Sequence, residues 1–253
     1  MKNIVKNIRQ LFFIDVAWAL RFLRKPTSRH YYWSRLIGRK YWDADILGFT
    51  LRFMFLTPYQ HHVAYQLHRG NLFEPLILAA WKEKARTSRV IYDIGGFNGI
   101  YGMLAAKVNP DARVVIFEPD PHNARHIREN IRANNVPNCS IEEVALSNFR
   151  GNAAFSAEGK TGSHLSDYGS EVGVDVLDSY PQPDLVKIDV EGAEAQLLAG
   201  APRTLQHKPT MFLEVHGLNH ADEVLLWKLI NESGYAKTRI GGPEEGNPHY
   251  LLS

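Results

Sequence analysis

Cysteine is almost absent from this chain of 253 residues. Its one example, Cys139, excludes an internal disulfide and any metal centre built on several thiolates. A buried structural thiol in a reducing compartment is the expectation. Long apolar runs are missing too. The stretch 11–14 meets Asp15 before 16–20 resumes, so nothing reaches the roughly 20 residues of a transmembrane helix. No small-residue cleavage site follows the basic lead-in, and the chain is expected to be cytoplasmic and unprocessed. Repeats and long low-complexity tracts are also lacking, which excludes a solenoid. With 45% hydrophobic residues the chain can bury one good core.

Negative charge is nearly lacking from residues 1–42, where ten lysines and arginines face Asp15 alone. The whole chain carries +2, so the remainder is acidic, at −7. Within 4–24 the apolar residues Ile4, Ile8, Leu11, Phe12, Ala19, Leu20 and Leu23 fall near helical spacing, and Pro26 closes the segment. An aromatic and basic run, 29–35, follows. Residues 1–42 read first as a helical arm packed on its own domain or a second subunit. The second reading is a peripheral contact with an anionic membrane surface, cations toward phosphates and aromatics at the interface. Nucleic acid comes last, through base stacking. Residues 43–88 read as a cap, with a short strand or hairpin arm at 46–53 and a helix opening near Pro75. The adjacent His61 and His62 diverge on a helix and read as surface or satisfied histidines, not joint ligands.

From residue 89 to the end, apolar strands alternate with helices, which predicts an α/β fold with a largely parallel sheet covered on both faces. Residues 140–146 read as one strand, 147–176 as a polar insertion or lid with short strands at 153–155 and 172–176, and 235–252 as a closing β-hairpin. A glycine turn, Gly95-Gly96-Phe97-Asn98-Gly99, sits between the strand 89–92 and the helix opening at Ile100. Such a turn lets backbone N–H groups approach a ligand. Glu118, at the end of the next strand and about 20 residues on, is placed to accept hydrogen bonds from ribose hydroxyls. These features predict a nucleoside-containing cofactor. Asp93 selects among them: an acid at the turn repels a pyrophosphate and favours the cationic sulfonium and amino group of S-adenosylmethionine. A structural role, capping the helix or bracing the loop, is the competing reading of Asp93.

The series Phe73-Glu74-Pro75, Asp93-Ile94-Gly95, Phe117-Glu118-Pro119, Ala145-Leu146-Ser147 and Lys187-Ile188-Asp189-Val190-Glu191-Gly192-Ala193-Glu194 resembles the FkbM family of S-adenosylmethionine-dependent methyltransferases. The resemblance runs from about residue 70 to 217. It implies a class I methyltransferase, Rossmann-like fold of seven strands with an antiparallel last strand. It also implies O-methylation of a hydroxyl on a sugar, glycan, glycolipid or natural product. Phe97 stands where the family carries asparagine, with Asn98 one place later.

Ligands in parallel sheets sit beyond the carboxyl ends of the strands, so Asp93, Glu118, Asp189 and His216 should line one cleft. The expected cofactor contacts are Asp93, Gly95, Gly96, Asn98 and Gly99 at the methionine end, Glu118 and Pro119 at the ribose, and Glu143 and Ala145 at the adenine, with Asp189 nearby. His216 and Asp189 are the candidate general bases for the acceptor hydroxyl. Glu191 and Glu194 are expected to orient Lys187 or the loop. No metal is expected; Glu214, His216 and His220 are the one loose group that could hold magnesium. An NAD-type oxidoreductase is disfavoured by Asp93 and by the lack of a spaced Gly-x-Gly-x-x-Gly. A non-catalytic cofactor-binding scaffold is the alternative from another class.

Overall fold

The computed structural model describes residues 31, 33–156, 169–241 and 247–253, and the backbone of 164–165. The expected helix over 4–24 and the turn at 242–243 lie outside the described residues. Thirteen strands and seven α-helices follow in chain order. A hairpin, β1 (Tyr41–Ile46) and β2 (Phe49–Met54), precedes α1 (Pro58–His68) and α2 (Pro75–Ala85). Next come β3 (Val90–Ile94), α3 (Ile100–Val108), β4 (Arg113–Phe117), α4 (Pro121–Asn134) and β5 (Cys139–Glu142). Four strands follow: β6 (Ala145–Leu146), β7 (Gly151–Ser156), β8 (His164–Leu165) and β9 (Ser170–Asp175). The chain ends with β10 (Leu185–Ile188), α5 (Glu194–Ala199), α6 (Pro202–His207), β11 (Thr210–Glu214), α7 (His220–Glu232), β12 (Lys237–Ile240) and β13 (His249–Leu252).

The main sheet has seven strands in the order β12-β13-β11-β10-β3-β4-β5. Its five central strands run parallel, and β13 lies antiparallel to both neighbours, as the sequence leads one to expect. Period-two alternation along β3 and β4 feeds two cores. Ile91, Val114 and Ile116 face one, with Met103 of α3; Tyr92, Ile94, Val115 and Phe117 face the other, with Leu197 and Leu226. With both faces covered, the inner strands are apolar throughout except where they carry Asp93 and Lys187. Cys139 is buried, as expected.

Residues 41–85 join the first core rather than lying over it. Ala44, Ile46, Leu51, Phe53, Ile77, Leu78 and Trp81 pack in the same cluster as Ile91 and Val114. The Leu47-Gly48 corner has φ of 54° and 88°, the left-handed pair that a two-residue hairpin turn needs. The outer edge of β2 is closed by side chains of α4. Asn134 accepts from Arg52 N (2.8 Å) and donates to Arg52 O (2.7 Å), and Asn130 Oδ1 accepts from Met54 N (2.7 Å). Residues 130 and 134 are one helical turn apart, so their amides satisfy an edge that would otherwise invite pairing. His61 is buried beside Ser34 Oγ at 3.1 Å and against the Phe55 ring, while His62 is half-buried, in keeping with the structural reading of that pair.

The expected single strand 140–146 is two. β5 ends the main sheet at Glu142, and β6 pairs with β9 in a separate four-stranded sheet, order β6-β9-β7-β8. The strands expected at 153–155 and 172–176 form its antiparallel β7–β9 pair. Residues 143–144 make the break, turning the chain from one sheet to the other.

Trp81 is fully buried against Tyr101 and Phe212, and its Nε1–H donates to Tyr101 O at 3.0 Å. Trp81→Ala should lower the unfolding free energy by about 3–5 kcal/mol, measured by urea denaturation.

Candidate active site

A cavity of about 270 Å³ opens at the carboxyl ends of β3, β4 and β10, walled on its other sides by residues of α1, α2 and the second sheet. Asp93, Gly95, Gly96, Asn98, Glu118, Pro119, Ala145 and Asp189 all line it, so the structure brings most of the sequence-chosen residues together. Gly99 and Glu143 are not among the lining residues. Glu143 is turned away by an ion pair with Arg128 of α4, while its neighbours Val144 and Ala145 face the cavity.

The glycine turn works differently from the sequence expectation. Gly95 N and Gly96 N both donate to Phe117 O (2.9 and 3.1 Å), Gly99 N donates to Gly96 O (2.7 Å), and Phe97 N donates to Glu118 Oε2 (2.8 Å). Four of the turn's N–H groups are thus satisfied within the protein, and the turn offers no nest for a phosphate. Its glycines serve close packing. A Cβ on Gly95, at φ +83°, would lie 1.7 Å from Asp189 O, and one on Gly96 would lie 2.2 Å from Ile116 Cγ2. Phe97 takes φ 48° and turns its ring toward Tyr59, 6.1 Å between centroids. Asn98 Oδ1 accepts from Ile100 N at 3.0 Å, serving the first turn of α3, and its carbonyl accepts from Asn130 Nδ2 at 3.0 Å.

Two acids bracket this turn. Asp93 is 1% exposed and accepts from Gly102 N at 2.8 Å; burial pushes its carboxyl up to about 6. Glu118 accepts from Phe97 N and, through Oε1, from Asp120 N at 2.9 Å; burial pushes it up to about 7. Each carboxylate oxygen of Glu118 keeps acceptor capacity beyond its one backbone bond.

Lys187, in register beside Asp93 on β10, is 3% exposed. Its Nζ donates to Asp189 Oδ2 at 2.6 Å and lies 4.7 Å from the centre of the Tyr101 ring. Burial opposes its charge, but Asp189, Glu74, Asp93 and Glu214 together hold the ammonium protonated well above the usual lysine range. Burial in turn raises Asp189 above the ordinary carboxylate range, against the pull of Lys187. Glu74 accepts from the Tyr101 hydroxyl (2.5 Å) and lies 3.6 Å from His249 Nε2, which is 3.2 Å from Glu214 Oε2. Burial works against the His249 charge, yet its bonds to Glu214 and Glu74 bring it up to about 9.

His216 stands behind this wall and is not among the lining residues. Its Nδ1 lies 2.7 Å from Glu194 Oε1, and its Nε2 lies 3.4–3.6 Å from Glu191, Glu214 and Asp189. Despite burial, the Glu194 bond and the surrounding acids raise its pKa and favour imidazolium, a poor base. Asp189 faces the cavity directly. Glu194 engages His216 rather than Lys187, whose partner is Asp189. His220, exposed at the start of α7, does not join Glu214 and His216; Asp189 does, with ligand atoms within 4.8 Å of one another.

Sequence reasoning missed Glu74, Tyr101 and His249 as site residues, and Lys187 as its central charge. The signal for Lys187 was available: a lysine inside the run Leu185-Val186-Lys187-Ile188 must be paired if that strand is buried. His249 lacked any such signal because its partners come from α2 and β11.

A histidine whose folded pKa is raised adds stability below its unfolded value, near 6.5, and loses it as pH rises through about 9. Urea unfolding should therefore show stability falling by on the order of 2–3 kcal/mol between pH 6 and pH 9.5. His249→Gln should flatten that fall.

Known proteins were compared with the chain. The family model described as methyltransferase FkbM domain matches residues 93–236. The hexuronic acid methyltransferase AglP of Haloferax volcanii is 29% identical over 163 residues, covering 60% of this chain and 65% of that protein. The 2-O-methyltransferase NoeI of Sinorhizobium fredii is 27% identical over 159 residues, covering 49% of this chain and 62% of that protein. The match thus spans a little under two thirds of each curated relative. Among solved structures, methyltransferase FkbM from Methylobacillus flagellatus superposes with a TM-score of 0.51 at 16% identity, over 66% of this chain and 44% of that one, a likeness of fold.

Proposed function

This chain belongs to the FkbM methyltransferase family, and from that premise we propose that it is an S-adenosylmethionine-dependent O-methyltransferase acting on a hydroxyl of a sugar, glycan, glycolipid or related natural product. The observation that carries the reading is the pairing of an acidic cavity with a spent turn. The carboxylates of Asp93, Glu118 and Asp189 line the cavity, while the turn N–H groups that would hold a pyrophosphate are bonded internally. That donor set suits a cation bearing a ribose and disfavours a dinucleotide.

Asp93 and the glycine turn would hold the methionine end, Glu118 the ribose hydroxyls, and the apolar wall of Val144, Ala145 and Leu146 the adenine. The bound cofactor supplies an electrophilic methyl group on a sulfonium. The protein supplies alignment, exclusion of water and a place for the hydroxyl proton. Asp189 is the group for that proton. Its Oδ2 is engaged by Lys187, leaving Oδ1, 3.6 Å from His216 Nε2, for the acceptor. His216 and Lys187 act as fixed cations that orient Asp189.

Among the described residues no helix is long and apolar enough to cross a membrane. We place the protein in the cytoplasm, with residues 1–42 touching the anionic inner membrane face. Exposed Trp33, Leu36 and Ile37, flanked by exposed Arg35, Arg39 and Lys40, support that contact. Co-sedimentation with phosphatidylglycerol vesicles is expected for the full chain, weakening with salt and lost on deletion of 1–30.

Label transfer from S-adenosylmethionine into metabolite and glycolipid extracts, followed by mass spectrometry, tests the activity. Asp189→Asn should lower kcat by about 10²–10⁴-fold, with S-adenosylhomocysteine affinity little changed. The rate of the unaltered protein should rise with pH along a limb above the ordinary carboxylate range. Full transfer by an Asp189→Asn, His216→Ala double variant would remove both residues from the mechanism.

A further inference from the structure

We infer that the acceptor is an uncharged or amino-bearing sugar and that the cavity rejects uronates and other anionic sugars. The inference rests on the methyltransfer reading and names the chemistry of the molecule that shares the cavity with the cofactor. Five carboxylate side chains line the cavity: Glu74, Asp93, Glu118, Asp189 and Glu191. Lys187 is the one lysine or arginine among the lining residues. Its ammonium is buried, committed to Asp189 at 2.6 Å and lodged by the Tyr101 ring. An acceptor carboxylate would have to displace an acid to reach it. The two other nearby cations, His216 and His249, lie outside the lining and are held by Glu194, Glu214 and Glu74.

An anion entering this space meets like charge with no described cation to pair with, and like-charge juxtaposition is a strong element of rejection. Asp93 and Glu118 are already pushed toward protonation by burial, and a further negative charge would push them the same way. A neutral polyol carries no such penalty, and its hydroxyls can donate to the carboxylates. An amino sugar gains from them. The opposite wall is built for the C–H face of a sugar ring: Tyr59, Phe73, Phe97 and Phe155 contribute aromatic surface.

The test pairs sugars that differ at one carbon: methyl glucoside with methyl glucuronide, and methyl galactoside with methyl galacturonide, adding methyl glucosaminide as the cationic arm. Two measurements are made on the full chain: binding to the protein mixed with S-adenosylhomocysteine, by saturation-transfer NMR, and transfer of labelled methyl. The neutral or amino sugar should bind and react at least about tenfold better than its uronate partner, with the gap narrowing as salt is raised. A uronate that binds or reacts as well as its neutral partner overturns the inference. So does the binding of no sugar at all. If neutral sugars bind selectively but no methyl is transferred, the charge preference stands and the methyltransfer reading falls. S-adenosylhomocysteine titrated alone then separates loss of the cofactor from loss of chemistry.

Discussion

Lys187 brings an ammonium into the middle of the sheet, where water cannot reach it and Asp189, Asp93, Glu74 and Glu214 must keep it charged. Buried ions of this kind contribute little net stability, because desolvation offsets most of the Coulomb gain; removing one partner is nonetheless costly, about 3–5 kcal/mol. The cluster therefore fixes an arrangement. It sets Asp189 at the cavity edge with one oxygen taken and the other open to a hydroxyl. It also draws His249 from the last strand and Glu74 from a helix before the first sheet strand into one network. Elements distant in sequence are thereby held to the same end of the sheet.

The glycine turn is governed by the same economy of space. Gly95 lets the turn lie against the carbonyl of Asp189, and Gly96 and Gly102 let α3 approach Ile116, since a Cβ at either would come within 2.2–2.5 Å of that side chain. These close approaches put Asp93 under the first turn of α3, where Gly102 N caps it. The turn is a packing device that leaves the ligand to the acids around it.

The main sheet was legible because its strands are short apolar runs at regular spacing, and the closing hairpin because β-branched and apolar residues flank glycines. Asp93, Glu118 and Asp189 were legible for a simple reason: strand ends in a parallel sheet converge, so an acid at each end must share a cleft. The second sheet was not, because Glu143 and Val144 continue the strand pattern of 140–146 and nothing local marks the change of sheet. Glu143 was chosen for its place at a strand end, but only the fold brings Arg128 of α4 beside it. His216 was chosen for its ordinary pKa, and the four acids that hold it protonated come from two segments whose meeting no spacing rule reveals.

Asn130 has one amide and two duties. Its oxygen holds Met54 of the N-terminal hairpin and its nitrogen holds the carbonyl of Asn98 in the glycine turn. Loss of the hairpin would leave that amide half satisfied beneath the turn, in a place where an unmet polar group is expensive. The stretch recognisable from relatives begins at residue 93, but the piece of chain that must fold together begins no later than residue 41. Boundaries drawn by kinship and boundaries drawn by hydrogen bonding do not coincide here, and a fragment trimmed to the first would be missing part of its own foundation.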